Sequence, residues 1–419
     1  MDEETIISRL EATSSAIESV RLISGNAGLS LGVMHHGKAI YRANYGYRDV
    51  ASRLPPTSDT VFPIPSMTKA MVASAFAALV DDGQLSWETK LSDLVPEYRQ
   101  MSDHIKCLKL VTKANLIDLL ANRLGLTAGN NFWSQKQQQV LVDKTETANI
   151  LRPLQPLAPF RSKFIDNYTK CYMALSDTTP SEIPLTAAGA CKSTVNDLMI
   201  LYKAWMEAEA GGSGTTDTPF KRVTDTWTPH IELSVGLLGI NGYECPELPT
   251  VAKGVEPQRL IYSQGSVCGS LNWTSQILLE ALLDAPEPND FRLYAEKTAG
   301  NAPSHYRPTV EQLAKEQMLR TKHQPLEEYC GRYYNQMGNF FLEISLHESG
   351  LKMCLQGYHY DTFAWPCDRD AESKLGLYPQ FAIGLHKVSF SSDESENIIS
   401  CNWQIDKAIS QGEVFTKRY

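Results

Sequence analysis

Ser66 and Lys69 have the residue types and spacing that could support nucleophilic catalysis. Residues three apart in a helix lie on one side of it, so these two side chains can meet. A serine hydroxyl is a poor nucleophile unless a base removes its proton, and a lysine is such a base only when its amine is uncharged. Burial and the positive end of a helix dipole both favour the uncharged amine. Because Ser-x-x-Lys arises by chance about once in a chain of this length, an N-cap serine and a solvated lysine are the alternative interpretation.

The segment around Ser66 predicts a buried helix that would hold both side chains. Pro63 and Pro65 favour extended backbone before the helix, Ser66 is of a type preferred at the N-cap, and Gly83 is a typical stop. The apolar side chains that follow recur at helical spacing and form a stripe wide enough to be buried, made of Met67, Met71, Val72, Ala75, Phe76, Leu79 and Val80.

Short motifs on both sides of this helix resemble those of one protein family. They are Gly28-Leu29-Ser30-Leu31-Gly32-Val33-Met34, Tyr45-Gly46-Tyr47-Arg48-Asp49-Val50, Asp59-Thr60-Val61-Phe62, Leu91-Ser92-Asp93-Leu94-Val95-Pro96 and Leu119-Leu120-Ala121-Asn122-Arg123-Leu124-Gly125-Leu126. The stretch from Gly28 to Leu126 resembles the serine β-lactamase-related family, which includes class C β-lactamases, penicillin-binding carboxypeptidases, esterases and fungal acyltransferases. The resemblance implies that Ser66 is the nucleophile and Lys69 its base.

Two further family motifs have altered counterparts in this chain. Tyr168, in Tyr168-Thr169-Lys170, stands where the tyrosine of a Tyr-x-Asn motif assists the nucleophile and protonates the leaving group. Lys170 replaces the asparagine and either holds a substrate carboxylate or is solvated. Ser263 stands where a basic residue binds a substrate carboxylate, and Gly265 still permits the close backbone approach of an oxyanion-hole strand. The resemblance thus implies Tyr168 as a catalytic residue and Lys170, Ser263 and Gly265 as substrate-binding residues, although a tyrosine on an apolar helix is more often a core residue.

Two segments that the family normally carries are short here. One lies between Tyr168 and the helix start at Ser193-Thr194, where Thr194 and Asp197 predict a capping box. The other follows Gly269, where the family has two core strands and this chain passes at once into a predicted helix from Trp273 to Leu283. These gaps leave open a catalytically impaired protein that keeps the fold for a binding or relic role.

The resemblance implies a mixed α/β fold of the α+β kind, a β-lactamase/transpeptidase-like antiparallel sheet flanked by helices, with a helical lobe. The local pattern agrees with it, since it predicts an N-terminal helix over residues 5–22 and a hairpin around His36-Gly37. We assign residues 1–284 to the catalytic domain, with the helical lobe at about 84–175. Residues 285–324 are predicted to form a linker that contains a helix.

The last quarter of the chain has the pattern of strands. Apolar residues alternate on both sides of a predicted turn at Glu348-Ser349-Gly350, namely Phe340, Leu342, Ile344 and Leu346, then Leu351, Met353 and Leu355. The run Tyr358–Phe363 resembles the lipocalin-like β-domain that some fungal members carry. We therefore predict a small lipocalin-like β-barrel at residues 325–419.

Composition and charge exclude several other classes of protein. The chain has 419 residues, a net charge of −9 and no basic cluster, so nucleic acid and anionic membranes are not expected partners. An acidic N-terminus without an apolar run and no apolar stretch near 18 residues predict neither a leader nor a membrane span. Nine scattered cysteines without a Cys-x-x-Cys pair predict reduced thiols in a cytoplasmic protein, with no metal site and no cofactor.

The function expected from these observations is acyl transfer through a covalent serine intermediate. The substrate would be an ester, lactone, thioester or amide of a small molecule, and the acceptor water, an alcohol or an amine. The resemblance to fungal members further implies a role in secondary-metabolite biosynthesis. Substrate, acceptor and oligomeric state do not follow from the sequence.

Overall fold

The computed structural model describes residues 2–64, 67–95, 112–125, 191–211, 218–228, 251–255, 270–301, 311–315, 324–347, 350–365, 387–404 and 411–418. The chain divides into two compact units. The first consists of residues 1–87 and 188–305, and the second of residues 88–187 and 306–419. Helices and antiparallel strands occur in both, which confirms the predicted mixed α/β fold.

The described elements are numbered in chain order. The helices are α1 (Glu3–Ala12), α2 (Ser14–Ile23), α3 (Thr68–Asp81), α4 (Leu91–Leu94), α5 (Leu116–Leu120), α6 (Val195–Gly211), α7 (Val223–Trp227), α8 (Ser270–Leu283), α9 (Phe291–Asn301) and α10 (Leu326–Tyr329). The strands are β1 (Gly28–His35), β2 (Lys38–Gly46), β3 (Phe62–Pro63), β4 (Lys192–Ser193), β5 (Gly331–Tyr334), β6 (Phe341–His347), β7 (Gly350–Leu355), β8 (Tyr358–Trp365), β9 (Val388–Ser392), β10 (Ile398–Trp403) and β11 (Glu413–Arg418).

The first unit is built on the hairpin of β1 and β2, as the sequence predicts. The two strands pair antiparallel from Gly28↔Gly46 to His35↔Lys38. His36 and Gly37 between them have φ values of 47° and 73°. Two successive left-handed residues are the backbone of a type I′ turn, whose twist matches that of the flanking strands.

Four helices cover one face of this hairpin. The apolar side of β1 packs against α1, α2, α8 and α9 in one core, formed by Ile6, Leu10, Ile17, Val20, Leu29, Leu31, Val33, Trp273, Ile277, Leu278, Phe291 and Ala295. The prediction of a single helix over residues 5–22 is wrong in one respect, because this region forms two separate helices, α1 and α2. The hydroxyl of Thr13, which lies between them, donates to the carbonyl oxygen of Leu10 at 2.6 Å, a local bond of the kind that competes with helix continuation.

The opposite face of the hairpin receives α6 at Gly32. A Cβ at Gly32 would lie 2.8 Å from both Met199 Sδ and Val195 Cγ1, so a larger residue there would require these side chains to shift. The hydroxyl of Thr194 caps the helix by accepting the Asp197 N–H at 3.0 Å, which is one of the two bonds of the predicted capping box. The hairpin therefore has helices on both faces, in agreement with the predicted antiparallel sheet flanked by helices.

The second unit contains a seven-stranded antiparallel sheet in the order β8-β7-β6-β5-β11-β10-β9. The predicted alternation holds for Phe340, Leu342 and Ile344, which are buried in one core with Met353 and Leu355, but it ends before Leu346, which is 48% exposed. The sheet is curled into a half-barrel. A closed lipocalin-like barrel stays a prediction.

None of the described helices combines the length and the apolar character that crossing a membrane requires.

Candidate functional site

The structure describes one of the predicted site residues, Lys69. The other five lie outside the described residues and stay predictions, namely Ser66, Tyr168, Lys170, Ser263 and Gly265. The geometry of the candidate site is therefore derived from Lys69 and from the elements that flank Ser66 in the sequence.

Lys69 lies in the first turn of α3 and is half-buried. The helix begins at Thr68, with Met67 at the N-cap position and already in helical conformation (φ −62°, ψ −26°). Ser66 was predicted at that position, so the helix starts one residue later than expected. At the far end Gly83 has a φ of +71°, which confirms the predicted stop.

The buried face of α3 lies along one edge of the predicted stripe, because Val72 and Phe76 are buried and the other residues of the stripe are half-buried. Thr68, Val72 and Phe76 are four residues apart and are buried, and Ser74 and Ala77 lie beside them. The row of Met67, Met71, Ala75 and Leu79 is half-buried. Because Thr68 leads the inward row, a hydroxyl rather than a methionine side chain enters the interior at the first turn.

A short strand pair holds the chain just before α3. In β3 Phe62 pairs with Ser193 of β4, and Pro63 pairs with Lys192. Pro63 has no backbone N–H to donate, which is tolerated at the edge of a sheet and at the ends of strands. The extended conformation that the prolines predicted is therefore used to bring the segment before Ser66 beside residues 192–193.

Cys191, the residue before β4, binds the chain on both sides of Ser66. The Ile64 N–H donates to the carbonyl oxygen of Cys191 at 2.9 Å. The Cys191 N–H in turn donates to Thr68 Oγ1 at 3.3 Å. Thr68 is only 3% exposed and Cys191 is half-buried, so the second bond is partly buried. Both backbone groups of one residue thus hold residues 64 and 68, which bracket the predicted nucleophile in sequence.

Polar contacts connect the loop before β3 to α6. Asn196, in the first turn of that helix, donates from Nδ2 to Asp59 Oδ1 at 2.6 Å. Its Oδ1 accepts from Arg42 Nε of β2 at 2.9 Å. These bonds join the hairpin, the Asp59 loop and α6, which continues directly from the Cys191 segment. The elements on either side of residues 65–66 therefore belong to one hydrogen-bonded framework.

The second unit carries another of the family-like motifs, Leu119–Leu126, as far as Gly125. Asp118 is completely buried and accepts a bond from Arg123 Nε at 2.6 Å. It also forms a capping box with Asn115, since each side chain accepts the other's backbone N–H. The sequence pattern predicts one helix over Thr112–Leu120, and this cap explains why α5 begins only at Leu116. The motif's polar residues thus serve to fix the turn after α5.

Sequence patterns did not predict the clamp formed by Thr68 and Cys191. The two residues are 123 positions apart, and no local pattern connects them. One signal was available, because Thr68 shares a helix face with Val72 and Phe76, and a hydroxyl on a buried face must find a partner. Its partner could not be named from sequence alone.

The described cysteines and acidic side chains do not suggest a metal site. Cys191, Cys330, Cys354 and Cys401 are free thiols, and the last two are buried. In the part of the chain that the structure describes, no group of three or more histidine, cysteine, aspartate or glutamate side chains could hold an ion.

Comparison with known proteins gives this site a context. Residues 20–169 match the family model described as Beta-lactamase. Esterase EstB from Burkholderia gladioli is 32% identical over 133 residues, which are 32% of this chain and 31% of that protein. The mitochondrial serine beta-lactamase-like protein LACTB of Homo sapiens is 29% identical over 89 residues, or 21% of this chain and 16% of that protein. Each match spans less than a third of the relative's length.

One solved structure aligns with nearly the whole chain at low similarity. It is an octameric penicillin-binding protein homologue from Pyrococcus abyssi, with 14% identity, a TM-score of 0.49 and coverage of 98% of this chain and 99% of that one. No conclusion about this chain follows from so distant a match. The sequence matches support a relationship to the serine β-lactamase-like hydrolase superfamily, and the matched stretch contains Ser66, Lys69 and Tyr168.

Proposed function

We propose that this protein is a serine hydrolase or acyltransferase that forms an acyl-serine at Ser66. The observation that carries the proposal is the position of Lys69, half-buried in the first turn of α3 and three residues after Ser66. The family match over residues 20–169 supports it, since it covers the whole Ser-x-x-Lys segment. A small-molecule ester, lactone, thioester or amide is the proposed substrate class.

In the proposed reaction Ser66 Oγ bonds to the acyl carbon while its proton passes to Lys69 Nζ. The carbonyl oxygen becomes an oxyanion, for which backbone N–H groups at Ser66 and beside Gly265 are the proposed donors. Collapse of this intermediate breaks the bond to the leaving alcohol, thiol or amine, which takes the proton from Lys69, directly or through Tyr168. Water or a second nucleophile then gives a proton to Lys69 and bonds to the acyl carbon, and the bond to Ser66 breaks as Ser66 takes that proton back from Lys69. Lys170 and Ser263 are proposed to bind polar groups of the substrate.

Esters are the substrates to test first, because one relative is named an esterase. We also propose a cytoplasmic location and a role in tailoring a secondary metabolite, with transfer to a small alcohol or amine as the variant of the same chemistry. Hydrolysis and transfer share the acyl-serine and differ only in the acceptor. A single assay for the intermediate therefore tests both.

The test is hydrolysis of short-chain p-nitrophenyl esters by the full chain and two variants. Ser66→Ala and Lys69→Ala should each lower kcat/KM by roughly 10³-fold or more, because the nucleophile and its base act as a unit. Ser74→Ala is the matched serine control, since Ser74 lies on the same helix and its hydroxyl donates to the Ala70 carbonyl at 3.0 Å. Lys203→Ala is the lysine control, from a side chain that is 53% exposed.

Both control variants should keep the rate of the wild type within about threefold. Hydrolysis that persists in Ser66→Ala would contradict the proposal. A folded wild type without turnover on any ester, thioester or amide would favour the binding or relic role instead.

A further inference from the structure

The hydrogen bond between Cys191 and Thr68 joins two segments that are far apart in sequence. It joins the first turn of α3 to residue 191, in a separate part of the chain, whereas the neighbouring hydroxyl of Ser74 bonds within the helix itself. The Ile64 N–H makes the second contact to Cys191, at 2.9 Å. Two bonds to one residue fix a segment against rotation, whereas a single bond leaves a pivot.

We propose that Thr68 is a positioning residue for acyl transfer, whose hydroxyl fixes the first turn of α3 to Cys191. The inference rests on the proposed function, in which Ser66 and Lys69 do the chemistry. Ser66 lies between the two anchored residues in sequence, and Lys69 follows Thr68 directly. The clamp thus fixes Ile64 and Thr68, which precede and follow Ser66 in sequence, to the same residue, Cys191.

The hydroxyl, and not only the bulk of Thr68, is required for this role. Thr68 is 3% exposed and Cys191 is half-buried, so the bond between them is partly shielded from water, and losing the hydroxyl removes an acceptor from the Cys191 N–H. Valine has nearly the same shape and leaves that N–H unpaired, which favours a shift of the segment. A misplacement of about 1 Å at a reacting group costs about 100-fold in rate. Loss of the Thr68 hydroxyl should therefore lower the rate of acylation more than it lowers the stability of the fold.

The test compares Thr68→Val with Thr68→Ser in the full chain. Thr68→Ser keeps the hydroxyl, and its rate of acylation should lie within threefold of the wild-type rate. Thr68→Val should lower kcat for p-nitrophenyl ester hydrolysis 10- to 100-fold, with KM changed by less than threefold, because substrate contacts remain. Ser74→Ala removes an equally buried hydroxyl from the same helix and should leave kcat unchanged. All rates are measured well below the melting temperature of each variant.

Hydrogen exchange gives a second measurement that does not need turnover. The Cys191 amide should be protected in wild type and in Thr68→Ser, and should exchange at least tenfold faster in Thr68→Val. If Thr68→Val does not fold, Thr68→Ala replaces it under the same criteria.

Two results would overturn the role of Thr68. One is a Thr68→Val enzyme with wild-type kcat, and the other is a Thr68→Ser enzyme as slow as Thr68→Val. A wild-type protein whose Ser66 is never acylated would instead contradict the proposed function. Hydrogen exchange at the Cys191 amide would still show whether the clamp exists. Failure of the positioning role and failure of the chemistry are therefore separable.

Discussion

Gly46 lies directly against the carbonyl oxygen of Ala27, since a Cβ at Gly46 would lie 2.2 Å from that oxygen. The same Cβ would lie 2.8 Å from Nη1 of Arg21, a buried guanidinium that donates to the carbonyl oxygens of Asn26 and Ala27. Glu18 accepts two further bonds from Arg21 and raises its pKa. The end of β2 therefore closes on a charged network where no side chain fits.

Gly46→Ala should destabilise the protein by roughly 2–5 kcal/mol, from left-handed strain together with overpacking. Gly37→Ala is the matched control, because Gly37 has a similar φ of +73° and open space around it. It should cost only the strain, about 1–2 kcal/mol. Thermal unfolding of the two full-length variants measures the difference. Equal melting temperatures would show that the contact with Ala27 is unimportant.

Asp118→Ala should destabilise the turn after α5 more than an exposed ion pair could. Asp118 is fully buried and Arg123 is 16% exposed, so the loss leaves a sequestered guanidinium without its carboxylate. Breaking such a pair costs about 3–5 kcal/mol. Glu207→Ala is the control, from the Lys203–Glu207 pair whose side chains are 53% and 54% exposed, and should change stability by less than about 0.5 kcal/mol. Hydrogen exchange across residues 112–125 measures both variants, and similar exchange in the two would contradict the prediction.

Glu413 should make stability depend on pH near neutrality. Burial raises the pKa of Glu413 to about 7, from an ordinary value of 4.5. The folded state therefore binds the proton on Glu413 more tightly than the unfolded state does. The stabilisation of the folded state by this proton is complete below pH 4.5 and is lost as pH rises through about 7. Glu413→Gln should stabilise the protein by about 1–3 kcal/mol at pH 8 and change nothing at pH 4.

The control for this pH dependence is Glu394→Gln, at an exposed position of the loop between β9 and β10. It should leave the melting temperature unchanged at both pH values. Melting curves between pH 4 and pH 8 make the comparison. A Glu413→Gln protein that melts at the wild-type temperature at pH 8 would contradict the buried, protonated carboxyl.

Sequence predicted well those elements whose signals are local. The alternation around Glu348-Ser349-Gly350 predicted β6 and β7, and His36-Gly37 predicted the first hairpin, because turn residues and strand periodicity are read over a few positions. Thr194 was likewise recognised as a cap from its immediate neighbours. The start of α5 was placed too early because Asn115, which is compatible with a helix interior, acts as its cap.

Contacts between distant segments could not be predicted in the same way. The periodicity of α3 predicted its apolar stripe, but the bond from the Cys191 N–H to Thr68 Oγ1 joins residues 123 positions apart and has no local signal. The break at Thr13 depends on one side-chain bond to Leu10. The resemblance supplied Ser66 and Lys69 as a pair, whereas the clamp on either side of Ser66 required the fold.

The most direct test of the central claim is mass spectrometry of the full chain treated with a fluorophosphonate, which traps an activated serine as a covalent adduct. We expect one adduct per chain, on the peptide that contains Ser66. This adduct should be absent in Ser66→Ala, should form more slowly in Lys69→Ala and should be unchanged in Ser74→Ala. A folded wild-type chain that carries no adduct at Ser66, or a Ser66→Ala chain that still reacts at the same rate, would contradict it.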